Sequence, residues 1–252
     1  QMKATGEVMS VGRTFEESLL KAIRSLETGV NHLYMQKFEA EKTESLMDYI
    51  KIGTDDRIYA IAELLRRGVE VAVIAAETRI DRFFLDKMKK IVDMEKELKQ
   101  CPGDMAVLYQ AKRNGFSDKA IAWLWSKKET DIFKMRKDAH IFPVYKMIDT
   151  CASEFKSYVP YFYSTYEIEN ESVIEDRKKI IVLGSGPIRI GQGVEFDYST
   201  VHAVKTIKEA GFEAIIINNN PETVSTDYTT SDKLYFEPLC VEDCLNVIEL
   251  EK

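Results

Sequence analysis

The residues with the clearest potential for chemistry lie in a glycine-rich stretch, GSGPIRIGQGVEFDY, that spans positions 184–198. Four of the chain's 12 glycines fall within its first ten residues: Gly184, Gly186, Gly191 and Gly193. Glycines clustered after an apolar run let the backbone come close to a phosphate, a substrate or another protein segment. The stretch therefore predicts either a nucleotide-binding loop or a sharp turn beside a small-molecule site.

A dinucleotide-binding loop is one interpretation of these glycines. It requires Gly-x-Gly-x-x-Gly between a strand and a helix, followed about 20 residues later by an acid for the ribose. Gly184 and Gly186 fit the first two places, but Arg189 occupies the third, where a large side chain hinders close packing of helix and strand. The next apolar run ends in Asn218, Asn219 and Asn220 without a carboxylate, and no Walker-type Gly-Lys-Ser/Thr follows the loop.

The other interpretation is a small-molecule site where two loops follow parallel strands. One loop carries Arg189, Gln192 and Glu195, and the second, NNNPETVSTDYTTSD, carries Glu222 and Asp227. Loops that follow parallel strands meet at one edge of the sheet, where open α/β sheets bind their ligands. The second loop is long, polar and free of glycine, which is typical of a functional loop, although a loop that only covers the surface has the same composition.

Three short apolar runs and two helical patterns must position these loops. KIIVLG, AIIIN and KLYFEP are predicted strands, STVHAVKTIKEAG is a predicted helix, and residues 241–250 form a second helix with Leu245 and Ile248 on its inner face. The alternation β-α-β-β-α predicts a parallel sheet with helices on its faces. We expect a Rossmann-like α/β domain that begins at residue 178 and is incomplete at residue 252.

The first half of the chain has a different pattern, with one helix after another from residue 14 to about residue 138. Thr14 is placed to cap the first helix, with Glu17 completing a capping box. The longest helix is predicted from Asp81 to about Gln100. No catalytic cluster is visible in this half, so we expect an all-α domain that packs against other domains or subunits.

Two further features lie near the end of the helical half. Trp123 and Trp125 differ by two positions and diverge on a helix, so either both pack in the core or one meets a partner surface. Residues 153–177 are rich in Tyr and then in acids without a helical period, which predicts an extended connection. The fold class is therefore mixed: an all-α domain, a connection, and a truncated α/β domain.

Charge and composition exclude several classes of function. The net charge is −7 and Lys and Arg lie among acids, so a nucleic-acid partner is not expected. Apolar runs are far shorter than the roughly 20 residues that a membrane helix needs, and the N-terminus has no secretory pattern. Four cysteines and three scattered histidines show no metal or nucleophile pattern, and this sparse cysteine use favours a reducing, cytoplasmic compartment.

Longer motifs resemble one protein family. GSGPIRIGQGVEFDYSTVHA and INNNPETVSTDYTTSDKLYFEP are similar to the start of the second, carbamoyl phosphate-forming half of the carbamoyl phosphate synthase large subunit. MKATGEVMSVGRTFEESLLKA is similar to the end of the first synthetic half running into the oligomerisation domain, and PVYKMIDTCASEF and YFYSTYE to that domain's exit. The resemblance covers nearly the whole chain in the family's order. It implies the tail of the first half at 1–13, the oligomerisation domain at 14–152, the connection at 153–177 and the leading domain of the second half at 178–252.

The resemblance implies a function in carbamoyl phosphate synthesis. The family uses bicarbonate, two ATP and ammonia, which a separate amidotransferase small subunit releases from glutamine, and its product serves arginine and pyrimidine synthesis. ATP and Mg or Mn ions bind in the ATP-grasp body that follows each leading domain, so no cofactor is expected on this chain.

The implied partners are the rest of the large subunit, the small subunit, and a second copy through the helical domain. Because an enzyme would not begin at Gln1 and end within a domain, we expect an excised fragment that is inactive alone. A dinucleotide-binding module and a purely structural scaffold that self-associates through its helices remain the alternatives.

The resemblance also implies residues along a path that carries carbamate between the family's two active sites. The matching positions are Glu195 in GVEFDY and Glu222 in NPETVS, and Gly193 would keep the passage open. A glutamate partly buried in a narrow channel has a raised pKa and can exchange hydrogen bonds with carbamate. Alternatively, both glutamates only cap backbone amides, while Arg189 holds one of these carboxylates or faces an anion. The residues implied to shape the loops are Gly184, Gly186, Gly191, Asn220 and Pro221.

Overall fold

A computed structural model of the chain describes residues 8–152, 154–155, 158–187 and 195–252, with Glu195 and Phe196 described by their backbone only. These residues divide into two compact units. The helical unit consists of Thr14–Ile23 and Gly29–Met135, and the α/β unit consists of residues 8–13, Arg24–Thr28 and Arg136–Lys252.

Nine helices precede the first strand within the described residues. They are α1 (Phe15–Ser25), α2 (Gln36–Glu39), α3 (Thr43–Tyr49), α4 (Arg57–Arg66), α5 (Val71–Thr78), α6 (Arg82–Gln100), α7 (Met105–Arg113), α8 (Asp118–Leu124) and α9 (Glu129–Asp138). The predicted all-α half is confirmed. None of the described helices is both long enough and apolar enough to cross a membrane.

The helices begin at the predicted capping residues. Thr14 Oγ1 accepts a hydrogen bond from the Glu17 backbone N–H at 3.2 Å, at the start of α1. Asp81 Oδ1 accepts one from the Phe83 N–H at 2.8 Å, at the start of α6. These oxygens satisfy N–H groups that the first turn of a helix leaves without partners. The predicted long helix from Asp81 to Gln100 is confirmed, with Asp81 as its cap.

The two tryptophans of the helical unit have different environments. Trp125 is buried, and its Nε1 donates a hydrogen bond to the Leu98 carbonyl at 2.7 Å. Trp123 is 46% exposed. The interpretation that both tryptophans pack in the core is therefore wrong, because the α8 segment turns one of them inward and the other toward the surface.

Gly115, which follows α7, occupies a position that only glycine fits. Its φ is +86°, and a Cβ there would lie 2.6 Å from the Cα of Glu17 in α1. Gly103 has a similar φ of +88°, but a Cβ there would meet open space. The two glycines therefore share the left-handed backbone but differ in their surroundings.

This pair supports a stability prediction. Both Gly115→Ala and Gly103→Ala introduce left-handed strain of about 1–2 kcal/mol, and only Gly115→Ala adds a clash with backbone. We expect Gly115→Ala to lower the free energy of unfolding by about 1–3 kcal/mol more than Gly103→Ala, measured by urea titration. Equal losses in the two variants would mean that the contact between α1 and Gly115 relaxes without cost.

The α/β unit contains five described strands and three described helical segments. These are β1 (Val144–Met147), β2 (Tyr161–Thr165), β3 (Lys179–Leu183), β4 (Glu213–Asn218), β5 (Lys233–Phe236), α10 (Glu195–Glu209), α11 (Val241–Glu251) and a short 3-10 turn (Val224–Thr226). The strand order is β1-β2-β5-β4-β3, in which β2, β5, β4 and β3 are parallel and β1 is antiparallel at the edge. The predicted mixed fold with a Rossmann-like parallel sheet is confirmed.

Helices cover both faces of this sheet. On one face, Val247 of α11 packs with Ile215 and Ile217 of β4. On the other face, Val204 of α10 packs with Ala214 and Ile216. Because successive strand residues point to opposite faces, β4 is buried on both sides, as its uninterrupted apolar sequence predicts.

Strands β1 and β2 of this sheet were not among the predicted strands. Strand β2 lies within residues 153–177, the segment predicted to be a connection, and it pairs Phe162 with Tyr235 of β5. The rings of these two residues are 5.6 Å apart, and the Tyr145 ring of β1 lies 5.0 Å from that of Tyr235. Part of the predicted connection is therefore a strand, because its aromatic side chains are buried against the sheet.

Helix α11 presents a different inner face from the predicted one. Leu245 and Ile248 are each 37% exposed, whereas Val247 is fully buried. The predicted inner position of Leu245 and Ile248 is therefore wrong. The buried Glu251 carboxylate accepts a hydrogen bond from Lys233 Nζ at 2.9 Å, so charged groups help to set which face packs on the sheet. A search for apolar periodicity does not register such a charged inner position.

Candidate functional site

The carboxyl ends of β3 and β4 meet at one edge of the sheet, and several predicted site residues follow them. The Gly184 N–H donates a hydrogen bond to the Ile217 carbonyl at 2.8 Å, which extends the pairing of the two strands by one step. Asn218 ends β4, and Asn219 and Asn220 follow; all three side chains are buried. We call residues 184–187 and 218–227 the carboxyl edge. Open α/β domains bind small molecules at such an edge.

The turn after β3 and the end of β4 are held together by one amide group. Asn218 Oδ1 accepts hydrogen bonds from the backbone N–H groups of Gly186 at 3.1 Å and Asn219 at 2.9 Å. A Cβ on Gly184 would lie 2.4 Å from the Asn218 Cγ. Any side chain at Gly184 would therefore displace this amide and the turn that it holds.

Gly186 lies against a carboxylate, which bears on the dinucleotide interpretation. Its φ is +67°, and a Cβ there would lie 2.5 Å from Glu27 Oε1. The Gly186 carbonyl accepts a hydrogen bond from Asn220 Nδ2 at 3.4 Å. A pyrophosphate placed over Gly186 would meet the Glu27 carboxylate, and the two negative charges would repel each other. This geometry argues against a dinucleotide phosphate at the loop.

Two segments that are distant in sequence complete the carboxyl edge. The Met9 N–H donates a hydrogen bond to the Asn219 carbonyl at 2.7 Å. Asn219 Nδ2 donates one to the Ser25 carbonyl at 3.3 Å, across 194 positions of sequence. Neither Met9 nor Ser25 was a predicted site residue, because contacts over such separations leave no local pattern.

Buried polar atoms without a hydrogen-bond partner cluster at this edge. Where the structure describes the chain, they include Ser25 Oγ, Ser185 Oγ, Asn218 Nδ2 and Asn219 Oδ1. Such groups are nearly always paired in folded proteins. Together they offer hydroxyl groups, one amide donor and one amide acceptor, all of them uncharged. All four atoms are buried, so this edge carries uncharged hydrogen-bonding groups that no described residue uses.

The second loop carries Glu222 at its exposed side. The Glu222 backbone N–H donates a hydrogen bond to Asn220 Oδ1 at 3.0 Å, and the side chain is exposed on the α/β unit. Pro221 is half-buried between them. Asn220 thus connects the two loops of the carboxyl edge through its amide, since its Nδ2 contacts Gly186.

Helix α10 approaches the same loop. Glu195 is the first residue of α10 rather than part of a preceding loop, and its side chain lies outside the described atoms. Two residues further on, the buried Asp197 carboxylate accepts a hydrogen bond from the Ser225 N–H at 3.2 Å. The helix turn that starts at Glu195 therefore lies beside the loop that carries Glu222.

Three predicted site residues lie outside the described residues, namely Arg189, Gly191 and Gly193. The roles assigned to them, and the path-lining roles of Glu195 and Glu222, stay predictions. Across the described residues, no group of three or more His, Cys, Asp or Glu side chains is arranged to hold a metal ion.

The two cysteines of α11 and its cap have the environment of structural residues. Burial raises the pKa of Cys240 to about 12, and Asp243 adds to the shift. Burial likewise raises the pKa of Cys244 to about 11. Both thiols are therefore protonated at neutral pH, and a protonated thiol is a poor nucleophile.

Two protein-family models match most of the chain. Residues 7–140, more than half of the chain, match the model described as carbamoyl-phosphate synthetase large chain, oligomerisation domain. Residues 176–252 match the carbamoyl phosphate synthase preATP-grasp domain. The resemblance drawn from the motifs is confirmed, and the family is one of ATP-dependent ligases. The chain belongs to the carbamoyl phosphate synthase large chain family, of which it carries the oligomerisation domain and a preATP-grasp domain.

Proposed function

We propose that this chain has two tasks within the carbamoyl phosphate synthase large chain. Its helical unit contributes to assembly, with the rest of the large chain, with the small subunit and with a second copy. Its α/β unit forms part of the wall of the path along which carbamate passes between the two synthetic sites. In the sequence, residues 1–13 then end the first synthetic half, 14–152 form the assembly domain, 153–177 connect, and 178–252 begin the second half.

The complete enzyme, of which this chain forms a part, catalyses the reaction. It makes carbamoyl phosphate from bicarbonate, two ATP and ammonia released from glutamine, in the cytoplasm, for arginine and pyrimidine synthesis. ATP and Mg or Mn ions bind in the ATP-grasp bodies, which are not among the two matched domains. The Glu27 carboxylate beside Gly186 supports this division, because it would repel a pyrophosphate placed over that glycine.

One observation carries the path proposal: the contact between α10 and the second loop. The Asp197 carboxylate accepts the Ser225 N–H at 3.2 Å. This contact joins the helix turn that begins at Glu195 to the loop that carries Glu222. The two acids that we propose for the path, Glu195 and Glu222, therefore come from adjacent segments at one edge of the sheet.

The polar groups of the carboxyl edge suit passage rather than tight binding. Conduction requires contacts favourable enough for entry and weak enough for release. Neutral amides and hydroxyls, such as those of Asn218, Asn219 and Ser185, lie at this edge and lack the strong attraction of a fixed cation. A glutamate carboxylate beside them can accept a hydrogen bond from carbamic acid as the intermediate moves on.

Because the ATP-grasp bodies are not among the two matched domains, we predict that the isolated 252-residue chain is inactive. Supplied with bicarbonate, ammonium and MgATP, it is expected to form no carbamoyl phosphate and to show no bicarbonate-dependent release of ADP. A coupled ADP assay and a radiolabelled bicarbonate assay measure the two quantities, with the complete large chain as the positive control. Bicarbonate-dependent turnover by the purified chain, above that of a heat-denatured sample, would contradict the proposal.

A further inference from the structure

Three phenylalanine rings form a cluster on the outside of the helical unit. Phe15 begins α1, and Phe83 and Phe84 lie in the first turn of α6. The ring centroid of Phe15 lies 6.1 Å from that of Phe83 and 5.4 Å from that of Phe84, and the last two are 5.3 Å apart. Phe83 is 54% exposed, and Phe84 is exposed as well. We call these three residues the aromatic patch. Clustered apolar side chains at a surface, unlike single ones, are typical of interaction sites.

The aromatic patch is bordered by bases of α6. Lys87 Nζ lies 5.4 Å from the centre of the Phe83 ring, and the side chain of Lys90, one turn further on, is 66% exposed. Both lysines share the buried Glu16 carboxylate, at 3.5 Å and 3.8 Å from its Oε1. Residues 82–90 contain four bases and one acid. Even with Glu16 included, the border of the patch is therefore net positive.

This charge decides against a contact in which the patches of two copies face each other. In a two-fold arrangement the same surface of both copies meets, so the bases of one copy would approach those of the other. Like charges at an interface repel and suppress the contact. The complementary partner therefore combines exposed apolar side chains with acids.

The chain itself carries a segment with that combination, residues 167–176, which we call the acidic segment. Five of its ten residues are acids and none is a base. Ile168 is 93% exposed, Val173 is exposed as well, and the side chain of Glu169 is 84% exposed. The Glu169 carboxylate lies 3.8 Å from Lys146 Nζ, which is too long for a hydrogen bond. Both the apolar and the acidic side chains are therefore accessible to a partner.

The acidic segment is tied to strand β1 of the α/β unit. Asn170 Oδ1 accepts a hydrogen bond from the Tyr145 N–H at 2.9 Å, and the Glu171 N–H donates one to the Tyr145 carbonyl at 2.8 Å. These bonds fix the backbone between the exposed side chains of Ile168 and Val173. A segment that is already ordered loses less conformational entropy when it binds.

We propose that the acidic segment of one copy docks on the aromatic patch of a second copy, with Ile168 against the phenylalanine rings and Glu169 opposite Lys90. In a two-fold dimer each copy gives one patch and one segment, so the contact forms twice. The inference rests on the proposed assembly through a second copy, and it names the surface and the partner segment for that assembly.

Sedimentation velocity of the 252-residue chain over a concentration series measures the dissociation constant of the dimer. Phe83→Ser is expected to raise this constant about tenfold, because aromatic anchors carry much of the binding energy of an interface. The matched control is Ile52→Ser, which removes an exposed apolar side chain of the helical unit outside the patch. It should leave the dissociation constant unchanged.

Exchange of charges tests the pairing of patch and segment directly. Lys90→Glu and Glu169→Lys should each weaken association about tenfold, because each puts like charges opposite one another in both contacts of the dimer. An equimolar mixture of the two variants should recover association, because every contact in the mixed dimer again pairs a base with an acid. A contact that uses other surfaces gives no such recovery.

Two kinds of result would overturn the proposal, and they separate it from the proposed function. A chain that stays monomeric over the whole concentration series would overturn both the docking contact and the assembly through a second copy. Self-association that is equally strong in Phe83→Ser and Ile52→Ser, or that the mixture fails to recover, would overturn the docking contact alone. The charge variants change only exposed side chains, so they decide the case even if circular dichroism shows that Phe83→Ser does not fold.

Discussion

Replacing Glu95 with Gln is expected to lower the free energy of unfolding by about 3–5 kcal/mol, the cost of breaking a buried ion pair from one side. The Glu95 side chain is 3% exposed and receives hydrogen bonds from Arg66 on α4 and from His32. Glutamine fills nearly the same volume but carries no charge, so the buried Arg66 guanidinium loses the closer of its two anions and keeps only Glu63, at 3.5 Å. The loss therefore comes from electrostatics rather than from a cavity.

The loss should also depend on pH in a defined direction. Burial raises the pKa of Glu95, but hydrogen bonds from Arg66 and His32 outweigh it and lower the pKa in the folded chain to about 2, from its ordinary value of 4.5 in the unfolded chain. A lowered folded pKa contributes stability above the unfolded pKa and loses it as the pH falls through the folded pKa. The gap in unfolding free energy between the unsubstituted chain and Glu95→Gln should therefore be full at neutral pH and shrink between pH 4.5 and pH 2.

A matched control lies on the same helix. Asp93 pairs with Lys89 on the solvent side of α6, where its side chain is 48% exposed. Exposed pairs of this kind contribute about 0–1 kcal/mol, so Asp93→Asn should change stability little. Urea titrations of the unsubstituted chain, Glu95→Gln and Asp93→Asn at pH 7 measure the free energy of unfolding of each protein. Losses of unfolding free energy of similar size in Glu95→Gln and Asp93→Asn would contradict the claim that the buried Glu95 ion pair stabilises the chain more than the exposed Asp93 pair.

Helix boundaries in this chain were predictable because their signals are local. Asp81 caps α6 within two residues of the N–H group that it binds, and the apolar positions of α6 repeat along a single helix. The same holds for Thr14 and α1. Strand β4 was predictable for a similar reason, since a short run of buried β-branched residues needs no knowledge of its partners.

The missed features depend on partners elsewhere in the chain. Strand β2 is aromatic and polar in sequence, and only its pairing with β5 shows that it belongs to the sheet. The inner face of α11 follows Glu251, whose partner Lys233 lies on β5. No local period indicates either partner. Leu245 and Ile248 were therefore predicted on the inner face of α11, although each is 37% exposed.

The candidate site was predictable in location but not in composition. Strand ends and loop length indicated the carboxyl edge, and the family motifs named Glu195 and Glu222. The Glu27 carboxylate beside Gly186 and the Met9 and Ser25 contacts to Asn219 come from distant segments. Only the folded chain shows that this edge combines neutral amides with a carboxylate where a nucleotide phosphate would have to lie.

Replacing Gly193 with Phe is expected to block the transfer of carbamate between the two synthetic sites of the complete large chain. On the carbamate path that we propose, Gly193 precedes Glu195 by two positions, and a phenyl ring there is expected to block the proposed passage. Carbamoyl phosphate formation should fall by about 100-fold or more, equivalent to a barrier of about 2.7 kcal/mol. Bicarbonate-dependent ATP hydrolysis should persist, because the first site keeps its own residues.

The matched control places the same side chain elsewhere on the α/β unit. Lys205 is exposed on α10, so Lys205→Phe adds a phenyl ring to the surface of that unit. This variant should retain both activities. Loss of product formation in Lys205→Phe as well would indicate that an added aromatic residue disturbs the unit rather than a passage.

The most direct test of the carbamate path is the ratio of ADP to carbamoyl phosphate formed by the complete Gly193→Phe large chain with ammonium as the nitrogen source. If the path runs past Gly193, the ratio rises at least tenfold above that of the unsubstituted enzyme, because carbamate that cannot pass returns to bicarbonate and ammonia after ATP is spent. An unchanged ratio, with both rates preserved or both lowered in parallel, would show that the intermediate does not travel along this edge.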